Sequence, residues 1–335
     1  MEEHFEEMKM ELYQEAPPII QRYLGYLETV KGRSAKTVEE YYRDLRTFFR
    51  YIKQSRGLVE PSVPFEEISI SDVDIDLIRT IDLTTVFEYF NYAGAMRDNA
   101  PNTRCRKVSS LRTFFKYLTN KVMLLESNPI EELDSPKVKQ SLPKYLTLEQ
   151  SIELLNVIDG KFKERDYCII TLFLNCGMRL SELVRINLTD IHRGSGPATI
   201  TITGKGNKER MVYLNNACIE AIDNYIKVRP VDGVIDKDAL FLSNRKQRIS
   251  NIMVQTMVKK YLQKIGLGGN GYSVHKLRHT AATLMYQYGD VDVRVLQDIL
   301  GHENLGTTQI YTHVSSKQMA DAISSNPLAS VKKKK

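Results

Sequence analysis

Apolar residues near the start of the chain recur every three or four positions, which is the spacing of one face of a helix. The clearest run begins after Ser34, a residue type that caps helices. Its members are Val38, Tyr41, Leu45, Phe48 and Ile52. The same spacing returns after Pro101, in Val108, Leu111, Phe115 and Leu118. With further helices predicted over 17–30 and 82–94, this part of the chain is expected to form an all-α bundle. The proline-containing stretch 57–80 is predicted to be a loop.

A different mixture of elements is predicted from Thr147 onward. Thr147 can cap a helix that has Glu149 and Gln150 in its first turn. Two β-rich runs, 198–203 and 210–214, flank the sequence GKGNKE and predict a hairpin with a glycine-containing turn. Further helices are predicted at about 164–176, 180–187, 215–228, 250–265, 274–287, 291–300 and 304–312. The expected fold class is therefore mainly α with one small antiparallel sheet.

The length of 335 residues is that of roughly two domains. Residues 134–146, which hold two prolines and three lysines, are typical of a linker between them. The predicted organisation is an acidic extension over 1–16, a helical domain over 17–133, the linker, a mixed α/β domain over 147–328 and a basic tail over 329–335.

Composition excludes several classes of protein. No run of 18 apolar residues is present, and the acidic N-terminus has no apolar core, so neither a membrane span nor a secretory signal is expected. The four cysteines are scattered without a CxxC spacing, which argues against a disulfide framework or zinc knuckle and suits a reducing cytoplasm.

The helix predicted after Pro101 carries charge of one sign. Residues 99–125 contain no acidic side chain but six basic ones, namely Arg104, Arg106, Lys107, Arg112, Lys116 and Lys121. Solvated helix faces usually mix signs, because opposite charges four positions apart stabilise them. DNA phosphates are the partner such a face predicts, with a basic face of no function as the alternative.

Two familiar sites can be set aside. GKGNK lacks the GxxxxGK[ST] spacing of a nucleotide phosphate loop. His275 and His279 have the spacing of helical metal ligands, but the glutamate of HExxH is missing and two cations stand between them. Metal binding by this pair is therefore not expected.

Six polar residues remain, and each has a structural alternative when taken singly. Arg179 could simply pair with Glu182, Lys205 could be a turn residue, His275 could cap a helix and Tyr311 could be a core tyrosine. Their motifs stand in the order RLSEL, GKGNKER, HKLRH, LGH and TTQIYTHV. In that order and spacing they resemble the tyrosine recombinases of the phage integrase type, and most closely the bacterial Xer branch. SAKTVEEYYRDLRTFFRYI also resembles the core-binding helix of that family.

The resemblance implies a site-specific DNA recombinase that cleaves and rejoins strands through a 3′-phosphotyrosyl link. It implies that the nucleophile is Tyr311 and that Lys205 protonates the departing 5′-oxygen. His275 would assist proton transfer, and the remaining positions would hold the non-bridging oxygens. No cofactor is expected, neither metal nor ATP, because the ester energy stays in the covalent link. The catalytic positions carried over are Arg179, Lys205, His275, Arg278, His302 and Tyr311.

The resemblance also implies partners. These are double-stranded DNA and a homotetramer on two duplexes, or a heterotetramer with a sister recombinase, with a DNA translocase as an activator. The segment 315–328 would pass to a neighbouring subunit. The expected location is cytoplasmic and nucleoid-associated, with no membrane partner. The residues expected to contact DNA are Lys36, Thr37, Tyr41 and Arg43 on the helix after Ser34, and Arg104, Arg106, Lys107 and Arg112 on the basic helix.

Several roles stay open at this level. One role is chromosome dimer resolution, and the other is integration or excision of a mobile element. Larger integrases of mobile elements often carry an extra arm-binding domain before the core. Only about 16 residues precede the first predicted helix, which disfavours such a domain. A type IB topoisomerase shares the tyrosine chemistry, but the spacing of HKLRH, LGH and Tyr311 argues against it. A non-catalytic DNA-binding protein would keep the basic helix without needing all six polar residues.

Overall fold

The structure is a computed structural model that describes residues 15–95, 101–134, 144–194, 196–204, 209–289 and 291–301. These residues form two compact units, the first within 15–134 and the second within 144–301. Each unit has its own buried apolar core. None of the helices in these ranges combines the length and the apolar character needed to cross a bilayer.

The first unit is helical, as predicted. Its helices are α1 (Pro18–Gly25, continued by a π-helical turn Tyr26–Val30), α2 (Ala35–Ser55), α3 (Ile75–Arg79), α4 (Leu83–Ala95) and α5 (Pro101–Asn120). Ser34 caps α2 by accepting a hydrogen bond from the Thr37 N–H, which confirms that start signal. The core is aromatic, and the rings of Tyr89, Phe48, Phe49 and Phe114 meet edge to face in succession.

The stretch 57–80 is more ordered than the predicted loop. It contains a 3₁₀ turn at Phe65–Glu67 and the five-residue helix α3, which are too short to show a period in sequence. Two buried cations of α2 hold it in place. Arg50 donates to Ile68 O and Glu66 at 2.9 Å, and Lys53 Nζ lies 2.6 Å from Asp72 Oδ1. Long-range ion pairs therefore fix this segment, not local propensity.

The second unit is built around α7 (Lys163–Cys176), which is buried along most of its length and packs against both α9 (Asn216–Val228) and α11 (Val274–Tyr288). The predicted cap at Thr147 is confirmed, because Thr147 and Gln150 form a reciprocal capping box at the start of α6 (Leu148–Asn156). The remaining helices are α8 (Leu180–Arg185), α10 (Asn251–Lys264) and α12 (Val293–Leu300). The helix predicted at 304–312 lies outside the described residues.

The sheet of this unit is antiparallel, in the order β1 (Ile191–His192), β2 (Thr199–Thr203) and β3 (Glu209–Tyr213). The two strands of the predicted hairpin are confirmed, since β2 and β3 pair antiparallel from Thr199–Tyr213 to Thr203–Glu209. The residues 205–208 between them lie outside the described part of the chain. The two-residue strand β1 was not predicted, because so short a run has no alternation to detect.

Candidate active site

Of the two predicted arginines, Arg179 is placed by a sharp break between helices and Arg278 by a buried helix. Gly177 ends α7 in the left-handed conformation, with φ of 59°. A Cβ there would lie 2.8 Å from Leu300 Cδ2, so glycine is required by packing as well as by conformation. The chain then turns so that Arg179 stands at the N-cap of α8. Arg278 comes from the second turn of α11, where it is almost fully buried.

The two guanidinium groups converge on the C-terminal end of α12. Arg278 Nη2 donates to Leu300 O and Arg179 Nη2 donates to Gly301 O, both at 2.7 Å. Arg278 Nη1 also donates to Gly177 O at 2.5 Å. Carbonyls at a helix C-terminus carry partial negative charge, which suits two cations in one place. The next residue along the chain is His302, so the arginines meet where the LGH motif begins.

His275 stands one turn before Arg278 on α11, and its ring packs edge to face on His279, with centroids 4.5 Å apart. The pKa of His275 is lowered from its ordinary value, first by loss of hydration and then by the positive charges of Arg278, Lys276 and Arg179. A lowered pKa leaves the imidazole neutral at pH 7, so it can accept a proton.

A buried carboxylate links Arg179 to a second arginine, Arg210 of β3. Glu182 accepts from the backbone N–H and from Nη1 of Arg179, each at 2.7 Å, and from both terminal nitrogens of Arg210. Burial alone would raise the pKa of Glu182, but hydrogen bonds from Arg210 and Arg179 outweigh it and lower the pKa to about 2. From sequence, Glu182 is predicted only as a helix neighbour of Arg179, and no local signal indicates Arg210.

Arg179, His275 and Arg278 border one cavity of about 740 Å³. Its other walls include Asn251, Gln255 and Lys259 of α10, which no motif had indicated, and the glycine-rich turn 268–271. Across the described ranges, no three His, Cys, Asp or Glu side chains come together as a metal site. The cavity thus offers donors and positive charge, which suits a phosphate diester. Lys205, His302 and Tyr311 lie outside the described residues.

The residues predicted to contact DNA fall into distinct environments. Lys36 and Arg43 are exposed on α2, although Arg43 also contacts Glu39 one turn earlier. Tyr41 is half-buried against the core, and Thr37 belongs to the cap of α2. On α5, Arg104, Arg106 and Arg112 are half-buried. Arg106 donates to Asp44 of α2 at 2.5 Å.

Lys107 is in a different position from its neighbours. Its ammonium is buried and donates to Asp44 Oδ1 at 3.0 Å, within the interface of α2 and α5. Asp44 is itself almost fully buried, at 2% exposure. A lysine held there cannot reach a phosphate without leaving a buried carboxylate short of a partner, which is costly. The structure therefore supports a role for Lys107 in joining two helices.

This difference predicts separate effects for two lysines of the same unit. We expect Lys107→Met to lower the free energy of unfolding by about 3 kcal/mol, because Asp44 stays buried with Arg106 alone. Lys36→Met should change stability by no more than about 0.5 kcal/mol. Urea unfolding of both variants measures this. A Lys107→Met protein as stable as wild type, with weaker and less salt-dependent DNA binding, would instead restore the phosphate role predicted from sequence.

Two guanidinium groups and an imidazole beside one cavity suit a phosphodiester, and comparison with known proteins identifies the class of enzyme. The profile described as the phage integrase family matches residues 144–318, and that of the phage integrase N-terminal SAM-like domain matches residues 20–63. The chain belongs to the phage integrase family, the tyrosine recombinases. It is a site-specific recombinase of the Xer-like kind, which cleaves and rejoins DNA through a tyrosine intermediate.

Individual relatives span nearly the whole chain. Tyrosine recombinase XerC of Caldanaerobacter subterraneus subsp. tengcongensis is 56% identical over 313 residues, 93% of this chain and 88% of that protein. Tyrosine recombinase XerC of Thermodesulfovibrio yellowstonii is 34% identical over 92% of this chain and 96% of that protein. The crystal structure of XerH site-specific recombinase bound to a palindromic difH substrate, a post-cleavage complex, is similar with a TM-score of 0.68 and 25% identity, covering 90% of this chain and 84% of that one.

Proposed function

We propose that this recombinase resolves chromosome dimers at one fixed DNA site, using the six residues that its sequence motifs indicated. The observation that carries the catalytic part is the convergence of Arg179 and Arg278 on the consecutive carbonyls Gly301 and Leu300. Two planar guanidinium forks beside a neutral imidazole form a cradle for a phosphate with growing negative charge. His275 borders the same cavity as the two arginines, which supports its inclusion in the catalytic set.

In the proposed reaction, the Tyr311 oxygen attacks the scissile phosphorus as the bond to the 5′-oxygen breaks. A free tyrosine has a pKa of about 10, so its anion at pH 7 costs about 4 kcal/mol. His275 takes up the tyrosine proton, and the nearby cations offset part of that cost. Lys205 gives a proton to the departing 5′-oxygen. The 5′-hydroxyl of another strand then attacks the phosphotyrosyl phosphorus and gives its proton to Lys205. The bond from phosphorus to the tyrosine oxygen breaks, and His275 returns the proton to that oxygen.

Arg179 and Arg278 hold the non-bridging oxygens during both steps, and His302 adds a hydrogen bond. An arginine suits this task better than a lysine, because its donors form a planar fork that matches two oxygens at once. In the described structure the forks bind backbone carbonyls, and a phosphate in the cavity would compete for the same donors. The reaction needs no metal and no ATP, since one ester is exchanged for another.

DNA binding is proposed to use the exposed Lys36 and Arg43 of α2, together with Tyr41 and Thr37. The half-buried Arg104, Arg106 and Arg112 of α5 complete the set on that unit. Most of these contacts would be to phosphates, which position the protein without reading sequence. The cavity-lining residues Asn251, Gln255 and Lys259 place a further polar surface beside the catalytic arginines.

The assembly is proposed to be a tetramer on two duplexes, because strand exchange requires four cleavages. The segment 315–328 would bind a neighbouring subunit, and a sister recombinase or a DNA translocase would be an additional partner. We also propose that the protein works in the cytoplasm on the nucleoid. Its cysteines are free thiols in the described residues, and Cys176 Sγ and Cys218 Sγ form a hydrogen bond at 3.7 Å and no disulfide, which suits a reducing compartment.

Covalent capture tests the proposal. Purified protein is mixed with sheared DNA from its source in buffer containing EDTA, and SDS then traps protein-linked fragments for sequencing. The Tyr311→Phe protein sets the background. We expect fragments from one chromosomal site near the replication terminus. Fragments from the ends of a mobile element would overturn the proposed cellular role but keep the chemistry. An absence of Tyr311-dependent fragments would overturn the catalytic assignment.

A further inference from the structure

Glu182 is shared by two arginines that contact it in different ways. Arg210 contacts the carboxylate with both terminal nitrogens, one on each oxygen, at 2.8 and 3.1 Å. Arg179 uses one terminal nitrogen on Oε1 and sends the other to Gly301 O. The bidentate pair is the stronger and geometrically more fixed of the two. Arg179 is therefore the partner that can leave Glu182 more readily.

Exposure separates the same two arginines. The side chain of Arg179 is 36% exposed and borders the cavity, whereas that of Arg210 is 18% exposed and Glu182 only 2%. A phosphate entering the cavity thus meets Arg179 and not Arg210. Once a dianionic transition state forms there, it competes with Glu182 for the Arg179 fork.

The competition would be unfavourable if Glu182 had no other partner. Removing one member of a buried ion pair leaves an uncompensated charge, which is among the larger penalties in a folded protein. With Arg210 on both of its oxygens, Glu182 stays neutralised while Arg179 turns to the phosphate. We infer that Arg210 is a positioning residue that frees Arg179 for the scissile phosphate by holding the charge of Glu182.

The surroundings of Arg210 agree with this role. It stands on the edge strand β3, where it pairs with Ile202 of the central strand β2, so its backbone is held by the sheet. Its Nε is buried and meets no acceptor within the described part of the chain. Its side chain lies against Gly301, where a Cβ would come within 3.0 Å of Arg210 Cδ, Cζ and Nε. Packing and sheet pairing thus direct its fork at Glu182 and away from the cavity.

The inference rests on the proposed role of Arg179, and a pair of substitutions tests it. Arg210→Gln, Glu182→Gln and the double variant are assayed for covalent adduct on a nicked duplex carrying the captured site. We expect Arg210→Gln to cleave about 100-fold more slowly, with DNA binding changed by less than about threefold. The double variant should cleave at least about tenfold faster than Arg210→Gln, because no carboxylate then retains Arg179. A double variant as slow as Arg210→Gln, or slower, would overturn the inference.

A neutral substrate gives a second readout that a merely structural role would not move. In a duplex with a methylphosphonate at the scissile position, one charged oxygen is replaced by a methyl group, so the reaction depends less on Arg179. On this duplex Arg210→Gln should cleave at a rate within about threefold of the wild-type rate. An unchanged deficit would mean that Arg210 acts elsewhere, for instance on the hairpin that carries Lys205.

Controls separate the possible failures. Thermal unfolding of each variant shows whether the fold survives. If Arg210→Gln does not fold, Arg210→Lys, which keeps the charge but not the fork, takes its place in the same comparison with Glu182→Gln. Wild-type protein that forms no adduct on either duplex would overturn the proposed function itself. Wild-type protein that cleaves while the double variant gains nothing would overturn the inference alone.

Discussion

Tyr311→Phe is expected to abolish the covalent protein–DNA adduct and to leave DNA binding unchanged. The substitution removes one oxygen, the atom that is proposed to attack phosphorus. Without that oxygen the proposed nucleophile is lost, so the amount of adduct should fall by at least about 10⁴-fold, as when other enzymes lose their nucleophile. Affinity should stay within about threefold, because one hydroxyl contributes little to a contact made mostly with phosphates. Gel shift and SDS gels of the same reaction measure the two quantities together.

A second tyrosine provides the matched control. Tyr167 of α7 is 39% exposed and does not border the cavity. Tyr167→Phe should bind and cleave like wild type, which shows that loss of a tyrosine hydroxyl as such has no effect. Continued adduct formation by Tyr311→Phe would contradict the nucleophile assignment and would require a search for another acceptor on the chain.

The elements that sequence predicted best are those with local signals. Ser34 and Thr147 mark helix starts by the hydrogen bonds that their own hydroxyls make, and both are confirmed. The stripe after Ser34 is buried at Val38, Leu45, Phe48 and Ile52. The remaining member, Tyr41, is only half-buried, and the fully buried ring at this level of the helix is that of Tyr42. Periodicity fixes the face of a helix but not the last residue at its edge.

The features that sequence missed depend on residues far apart in the chain. The stretch 57–80 is held by Arg50 and Lys53 of α2, which no local pattern connects to Ile68 or Asp72. Lys107 belongs to a basic run, yet Asp44, 63 positions earlier, fixes its environment. Arg210 is the last residue of the motif GKGNKER, but no pattern in the sequence shows that Glu182 lies between it and Arg179. Charge patterns in sequence cannot show which charges are already paired.

Replacing Arg278 with lysine is expected to reduce cleavage by about 10²–10³-fold, equivalent to about 2.7–4 kcal/mol of transition-state stabilisation. Lysine keeps the positive charge but loses the fork, so it cannot hold two oxygens in one plane. Arg278 donates to Gly177 O, where α7 ends, and to Leu300 O, where α12 ends. Lysine would reach only one of them. Single-turnover cleavage of the nicked duplex measures the loss.

Structural loss must be separated from catalytic loss, and the chain offers a matched arginine. Arg229, at the C-terminal end of α9, also donates its guanidinium to backbone carbonyls, including Ala239 O at 2.7 Å and Lys237 O at 3.0 Å. It does not border the cavity. Arg229→Lys and Arg278→Lys should therefore each lower the free energy of unfolding by about 1–3 kcal/mol. Arg229→Lys should leave cleavage by the folded protein unchanged.

The comparison of the two variants decides what Arg278 does. Both variants give up the same kind of carbonyl contact. If they lose equal stability but only Arg278→Lys loses cleavage, the Arg278 fork acts on the phosphate. If the two variants lose equal stability and also equal cleavage, Arg278 serves mainly to hold α7 and α12 together. In that case Arg179 alone would face the phosphate, and Arg278 would have to be removed from the proposed catalytic set.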